Sequence, residues 1–469
     1  MSITNIGVGA KIRVINAPVG IRQWAKRELE FPNPEYEKKL RMNKWVGNTP
    51  KKVVLYETDG NDVILPYGCW ENLSYQLRTN KVAHQILGND PNEKEVWQRR
   101  RINIPLFEYQ EKAVQEMFYA GNGILQAPAG SGKTQCGIAL AEAWERKTLW
   151  ITHTQDLLKQ SYDRAKQYIH EGALGTITEG KVNVGAFITF ATVQTLSNLD
   201  LVQYRDVWDV IIVDECHRVS GSPTSVTMFG KVLGMLAATH KYGLSATLHR
   251  SDGMIRATYA LLGAIRHIVP DTAVESRIVR PKVIPVDTEY YPGQKSLNYD
   301  GTLNYSGMIS DMCEDMARTA LISTLIACDP GESALVLSSR VEHLREILGL
   351  LPEWLKEKSA VIDGKMTSKT EKRLRNQYIE DMRTGEKRIL FATYQLAKEG
   401  LDIPRLDRLF LVTPQKDEAV IIQSVGRVSR MCEGKQTPIV YDIVDRNGYC
   451  VKAYRKRCGI YRRLGCEIE

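Results

Sequence analysis

The chain has 469 residues, more than one hydrophobic core holds and enough for two or three domains. Its 43% hydrophobic and 25% charged residues suit a soluble globular protein, and no apolar run approaches the ~18–20 residues of a membrane span. The net charge of +8 favours a polyanionic partner only mildly, and the nine cysteines contain no Cys-x-x-Cys pair, so neither a zinc site nor a disulfide framework is signalled. Cys450, Cys458 and Cys466 recur every eight residues and read as packing residues. The start, Met1-Ser2-Ile3-Thr4-Asn5, lacks the basic-then-apolar layout of a secretory signal, so a cytoplasmic protein is expected.

Residues 1–95 carry no enzyme motif and are expected to form a small α+β accessory domain. Asn33-Pro34-Glu35 predicts a helix start, with Asn as cap and Pro at the first helical position. Val53–Glu57, a turn at Asp59-Gly60 and Val63–Pro66 predict a hairpin. Gly88, Asn89, Asp90 and Pro91 read as a linker. Basic Lys38, Lys39, Arg41, Lys44, Lys51 and Lys52 are interleaved with Tyr36, Trp45, Tyr56, Tyr67 and Trp70. That mixture fits phosphate contact with base stacking, and equally fits aromatics buried in a small core.

From about residue 96 the pattern becomes short apolar strands alternating with helix-length segments. Strands are expected at 123–126, 148–151, 210–213, 334–337, 389–392 and 409–412, with an amphipathic helix over 370–383. Unalternated apolar runs of this length suit parallel strands buried on both faces. The expected fold is α/β: two doubly wound domains, 96–272 and 273–469, behind the accessory domain.

Ala127-Pro128-Ala129-Gly130-Ser131-Gly132-Lys133-Thr134 follows the first of these strands and opens a helical segment. Strand, glycine loop and helix together form a phosphate cradle, in which backbone N–H groups and the helix N-terminus face the anion. Lys133 is expected to neutralise the β- and γ-phosphates of ATP, and the Thr134 hydroxyl to ligate Mg²⁺. Ala127 stands where the strict pattern has Gly. Val210–Val213 then runs into Asp214-Glu215-Cys216-His217. Adjacent carboxylates ending a buried strand are costly unless they bind a cation or do chemistry. Placed about eighty residues after a phosphate loop, Asp214 is expected to hold Mg²⁺ and Glu215 to orient and deprotonate the attacking water, with Glu215 also near the metal.

Around these two motifs the chain resembles superfamily 2 helicases and translocases, over roughly residues 105–450. The resemblance implies two RecA-like domains with ATP in the cleft between them, and implies roles for further residues. Tyr109-Gln110 stands in the place of the adenine-reading glutamine, although Glu108 replaces the family's usual Arg. Thr154 and Gln155, Thr192 and Gln194, and in the second domain Arg340 and Thr393, occupy strand-contacting positions. His217, Ser245 and Thr247 would couple hydrolysis to domain movement. Gly400 and Asp402 would lie near the ribose and γ-phosphate, and Gln423-Ser424-Val425-Gly426-Arg427-Val428-Ser429-Arg430 would supply Gln423 and the arginine fingers Arg427 and Arg430. Spaced three apart, the two arginines would share a face of a helix.

Ser424 and Ser429 replace the Arg and Gly of DEAH-type RNA helicases, a form more similar to XPB and the UvsW-type phage helicases. The XPB-type Arg-Glu-Asp triplet reads Arg250-Ser251-Asp252 here, without its middle acid. The resemblance implies an ATP- and Mg²⁺-dependent DNA helicase or translocase acting as a monomer on forked or branched DNA. The alternatives are an RNA helicase, or a non-unwinding duplex translocase subunit of a restriction or nuclease complex. The C-terminal basic cluster Lys452, Arg455, Lys456, Arg457, Arg462 and Arg463 reads as a solvated helix face or a second DNA contact.

Overall fold

The computed structural model describes residues 3–469 apart from 89, 92–94, 129, 179, 221, 247, 249–253, 274–278, 365, 367, 399, 400, 402 and 433. The chain forms two compact units, Met1–Pro270 and Asp271–Glu469.

The first unit holds two larger sheets. The smaller has five strands in the order Glu57–Asp59, Asp62–Pro66, Lys11–Val14, Thr4–Val8, His84–Gly88. Its core is Ile6, Ile12, Val14, Ile21, Trp24, Val63, Leu65, Trp70, Leu73 and Leu77, closed by the helices Val19–Leu29 and Trp70–Thr79. The hairpin forms, but its first strand is Glu57–Asp59. Val53 instead belongs to Lys52–Val54, which pairs with Glu30–Pro32. Gly88, expected in a linker, ends a strand pairing parallel with Thr4–Val8. Asn33 caps the helix Pro34–Arg41 as anticipated, accepting from Glu35 N–H.

The larger sheet has eight strands, in the order Lys181–Asn183, Leu174–Thr178, Ile188–Thr192, Thr148–Thr152, Val210–Asp214, His240–Ser245, Gly123–Gln126, Ile265–Ile268. All neighbours pair parallel except the first two. The strands Thr148–Thr152, Ile188–Thr192, Val210–Asp214 and His240–Ser245 are buried at every residue, the signature of a sheet covered on both faces.

The small sheet packs tightly against the large one. At Gly68 a Cβ would lie 2.4 Å from the Gly263 backbone nitrogen, so only glycine permits the approach to the end of the helix Ile255–Leu262. Ala260 of that helix belongs to the small sheet's core. Tyr67 donates to the Thr239 carbonyl at 2.6 Å, and Lys241, wholly buried in the strand His240–Ser245, donates to the Ala10 and Leu233 carbonyls at 3.0 and 2.7 Å.

The second unit is a seven-stranded sheet in the order Ser359–Ile362, Ile389–Thr393, Ala334–Ser338, Arg408–Leu411, Ile439–Asp445, Lys282–Thr288, Glu467–Ile468, parallel throughout. The amphipathic stretch is the helix Lys369–Thr384, started by the reciprocal cap of Ser368 and Glu371. Arg457, expected on a basic surface, is buried in the helix Gly448–Arg463. It forms a two-pronged ion pair with Asp442, itself bonded by Tyr461. Its guanidinium is therefore a core element, whereas Lys452, Arg455, Lys456, Arg462 and Arg463 remain exposed. All nine cysteines are free thiols, with Cys450 and Cys466 buried and Cys458 half-buried.

Candidate nucleotide site and strand-tracking edge

The phosphate loop leaves the strand Gly123–Gln126 and enters the helix Lys133–Trp144 through Gly132 in left-handed backbone, φ +78°. A Cβ at Gly132 would meet Gln110 Nε2 at 2.4 Å, so both the turn and the contact demand glycine. The first turn of the helix carries no acid, leaving its N–H groups and positive end to an anion. Lys133 Nζ reaches the Ala127 and Pro128 carbonyls at 3.2 and 3.4 Å. Ser131 Oγ is buried with no hydrogen-bond partner among the described residues, which suits a loop built around a ligand.

Gln110 is placed differently from the adenine-reading expectation. It is buried, its Oε1 accepts from Phe107 N–H at 3.0 Å, and its Nε2 donates to the Ser131 carbonyl at 2.8 Å. Tyr109 donates to the same carbonyl at 3.0 Å. Both residues thus join the start of the helix Glu108–Ala120 to the phosphate loop.

Asp214 ends its strand buried, accepting from Ser161 Oγ at 3.4 Å and from Glu215 N–H at 2.9 Å. Burial, and then the charge of Glu215, push its carboxyl up to about 7, against the pull of Lys133. An acid so disfavoured as an anion is a site that a cation would stabilise. Glu215 adopts left-handed backbone, φ +48°, rare for a non-glycine residue and typical of functional turns. Its Oε2 lies 3.2 Å from His217 Nδ1, which in turn lies 3.1 Å from Ser245 Oγ. Glu215, His217 and Ser245 therefore form one connected chain. Ala129 and Thr247 lie outside the described residues.

The first-unit positions expected to contact a nucleic-acid strand converge because their β-strands are neighbours. Thr152 pairs with Thr192, so the helices that follow begin side by side at one edge of the sheet. Thr154 caps Gln155–Ala165, and Gln194 Nε2 donates across to the His153 carbonyl at 3.1 Å. Thr192 is buried and its hydroxyl caps Val193–Ser197, so it shapes this edge, while the exposed Gln155 and Gln194 present side chains to solvent.

In the second unit Thr393 pairs with Ser338, which places Thr393 and Arg340 at the same end of adjacent strands. Arg340 Nη2 donates to Ser306 Oγ at 3.0 Å. Gln423 lies in the helix Glu418–Val428 with Oε1 buried and without a partner among the described residues, and Arg427 Nη2 donates to the Ala397 carbonyl at 3.2 Å. Arg430 does not share a helix face with Arg427, because the helix ends at Val428 with Ser429 as its cap. The reason is Lys435, whose Nζ binds the Val428 and Arg430 carbonyls at 2.6 and 2.7 Å and so satisfies the helix terminus. Burial lowers the Lys435 ammonium to about 8. Nothing in the local sequence marks Lys435, since its partners are backbone carbonyls. Gly400 and Asp402, like Arg250, Ser251 and Asp252, lie outside the described residues.

A glycine loop and a paired-carboxylate turn at the strand ends of a parallel sheet define a phosphate-loop nucleotide hydrolase of the RecA-like type. Comparison with known proteins narrows this. Residues 103–250 match the family "Type III restriction enzyme, res subunit", and residues 317–432 match "Helicase conserved C-terminal domain". A putative ATP-dependent RNA helicase of Acanthamoeba polyphaga mimivirus is 29% identical over 71% of this chain and 62% of its own length. A DNA 3'-5' helicase XPB of Kineococcus radiotolerans is 25% identical over 72% of this chain and 59% of its own. The ATP-dependent DNA helicase uvsW of Enterobacteria phage T4 is 23% identical over 72% and 68%. Among solved structures, S. cerevisiae Dbp5 shares the fold, with a TM-score of 0.56 at 15% identity over 77% of this chain and 88% of that one. Both matched regions are thus similar to ATP-dependent helicases, in line with the resemblance to superfamily 2, and the relatives include helicases of the XPB and UvsW types. The chain spans about 60% of the length of the mimivirus and XPB relatives. Among the described residues, no helix is long and apolar enough to cross a membrane.

Proposed function

We propose that the chain is an ATP-driven DNA helicase that unwinds or branch-migrates forked and junction DNA. The observation that carries this reading is a basic arm on a subdomain fixed to the ATP-binding sheet. The arm, residues 33–52, is folded back by Asn33, whose Nδ2 donates to the Pro50 carbonyl at 2.8 Å. No side chain of its helix is buried, and Lys38, Arg41, Lys44 and Lys51 are exposed. Trp45 is 88% exposed, whereas Tyr67 and Trp70 serve the core. Exposed cations around an exposed indole suit phosphates and an unstacked base. The subdomain that carries the arm packs on the large sheet at Gly68 and Lys241, and again where Phe31 and Val53, which flank the arm, meet Val226, Met254 and Ala257, so a DNA branch held there is carried with the first unit.

In the reaction, the loop Gly130–Thr134 holds the triphosphate, and Glu215 takes a proton from the attacking water. Thr134 and Asp214 are the residues that would hold Mg²⁺, which neutralises phosphate charge when bound. The relay through His217 to Ser245 passes the state of the nucleotide to the strand His240–Ser245.

The test is ATPase and strand displacement on matched single-stranded, forked, four-way-junction and RNA substrates. Junction DNA should stimulate most. Stimulation by RNA alone would favour the RNA helicase that the mimivirus relative's description suggests. Duplex-stimulated hydrolysis with no displacement would favour the non-unwinding translocase subunit of a restriction or nuclease complex.

A further inference from the structure

Between the strand Lys282–Thr288 and the helix Met316–Cys328 the second unit carries a compact excursion. Its base is rigid. Asp311 Oδ2 accepts from Tyr290 Oη at 2.9 Å, Gly293 N–H at 2.6 Å and Ser296 Oγ at 3.0 Å. Tyr290 packs with Met308, Ile309, Met312 and Cys313 in a small core of its own. From this base a hairpin rises through the bridge Leu297–Leu303. Its turn is closed by Asn298 N–H to the Thr302 carbonyl at 2.8 Å, and by Asp300, which accepts from Thr302 N–H and Oγ1 at 3.0 and 2.6 Å. Gly301, at φ +75°, completes it.

Such a turn is built to hold its tip still, and the tip residue, Tyr299, is fully exposed. Leu297 beside it is 52% exposed. Residues 297–304 contain one charge, Asp300, already engaged by Thr302, and no cation, so the tip is unsuited to gripping phosphate. Its position supplies the second observation. The helix Tyr305–Glu314 that follows the hairpin is tied at Ser306 to Arg340, one of the two strand-contacting positions at the sheet edge with Thr393. Tyr305 also packs against Tyr449, the ring centroids 5.2 Å apart and the planes tilted by 51°, and donates to the Pro414 carbonyl at 3.4 Å.

We propose that Tyr299 is a strand-separating wedge, which stacks on the base pair at the mouth of a duplex while the edge at Arg340 and Thr393 holds the backbone of one strand. This rests on the nucleic-acid reading above and names the element that would divide the strands. A phenol ring offers a flat face to a base of any sequence, and the rigid turn lets the duplex, rather than the hairpin, yield. The anchored base and lack of a nearby tip cation distinguish this site from the basic arm, which would hold DNA without parting it.

The experiment compares wild type, Tyr299→Ala and Tyr299→Trp on a forked DNA duplex. Because the side chain is fully exposed, neither substitution removes a core contact. Tyr299→Ala should lower the strand-displacement rate at least about fivefold, with DNA-stimulated ATPase within about twofold of wild type and Tyr299→Trp close to wild type. A fork carrying 5-iododeoxyuridine at its first paired position should photocrosslink to the peptide containing Tyr299. Unchanged displacement in Tyr299→Ala would overturn the wedge and leave the tip to a protein partner, and a parallel loss of ATPase would overturn it equally by making Tyr299 a general binding residue. If wild type itself shows no nucleic-acid-stimulated ATPase, the reading of function fails instead.

Discussion

His217 Nδ1 lies 3.1 Å from Ser245 Oγ, and the same nitrogen lies 3.2 Å from Glu215 Oε2. The turn that carries the proposed base is thereby joined to the end of the adjacent parallel strand. Ser245→Ala removes one hydrogen bond of this relay, about 1 kcal/mol, without touching the phosphate loop. ATP hydrolysis should change by less than about threefold while base pairs opened per ATP fall severalfold. Coupled assays of phosphate release and displacement give that ratio, and an unchanged ratio would remove Ser245 from the relay. Glu215→Gln provides the contrast, since the amide keeps the shape but takes no proton. Nucleotide binding should persist while hydrolysis falls by about 10²–10⁴.

Gln110 Nε2 donates to the Ser131 carbonyl at 2.8 Å, and its Oε1 caps Phe107 N–H. A residue reading adenine would, on removal, relax the preference for ATP over GTP. One that positions the loop would, on removal, weaken both nucleotides alike. Gln110→Ala should therefore lower ATP and GTP affinity by a similar factor, about tenfold for the roughly 1–2 kcal/mol lost. Isothermal titration with both nucleotides decides between the roles, and a selective loss of ATP would return Gln110 to the base.

The strands were legible because burial on both faces leaves an unbroken apolar run, and 123–126, 148–152, 210–214, 334–338 and 389–393 fall where such runs are. The helix Lys369–Thr384 was legible through the amphipathic pattern over 370–383, and its start is fixed locally by Ser368 and Glu371. What escaped was decided by distant partners. Val53 pairs with Phe31 instead of closing the Asp-Gly hairpin, a register that no local turn dictates. Arg457 looks like any exposed helix arginine until Asp442, on a neighbouring strand, draws it inward. The helix end before Arg430 depends on Lys435 reaching its carbonyls. Asp300-Gly301 was a hairpin signal of the same kind as Asp59-Gly60, lost because so short a bridge has almost no flanking β pattern.

The basic arm can be tested without removing its subdomain. Deleting the first ninety or so residues would strip the packing at Gly68 and Ala260 from the motor unit, so an insoluble product would say nothing of DNA. Substituting Lys38, Arg41, Lys44 and Trp45 by Ala removes exposed side chains only. Nucleic-acid-independent ATPase should be unchanged, while junction affinity falls and the slope of log affinity against log salt becomes shallower by about 2–3 for three lost phosphate contacts. Fluorescence anisotropy across a salt series reads that slope, and identical slopes would place the arm off the DNA.

Lys241 is wholly buried, with two backbone carbonyls as acceptors and the Tyr67 ring 5.0 Å from its ammonium. Burial lowers it from 10.5 to about 7. Between those values the unfolded chain binds a proton that the folded chain lacks, so stability rises with pH across this window. Below about 7 both states carry the proton, and the cost of burying the charge is felt in full. From pH 7 to 9 the contribution amounts to about 2 kcal/mol, or about 4–8 °C in Tm for a unit of this size. Lys241→Met abolishes this titration, so the difference in Tm between wild type and variant should shift by that amount in favour of wild type as pH rises. Other groups cancel in that difference. A constant difference across the window would mean that Lys241 keeps its proton inside the fold, held by Ala10 and Leu233, and that the junction of the two sheets is a charged one.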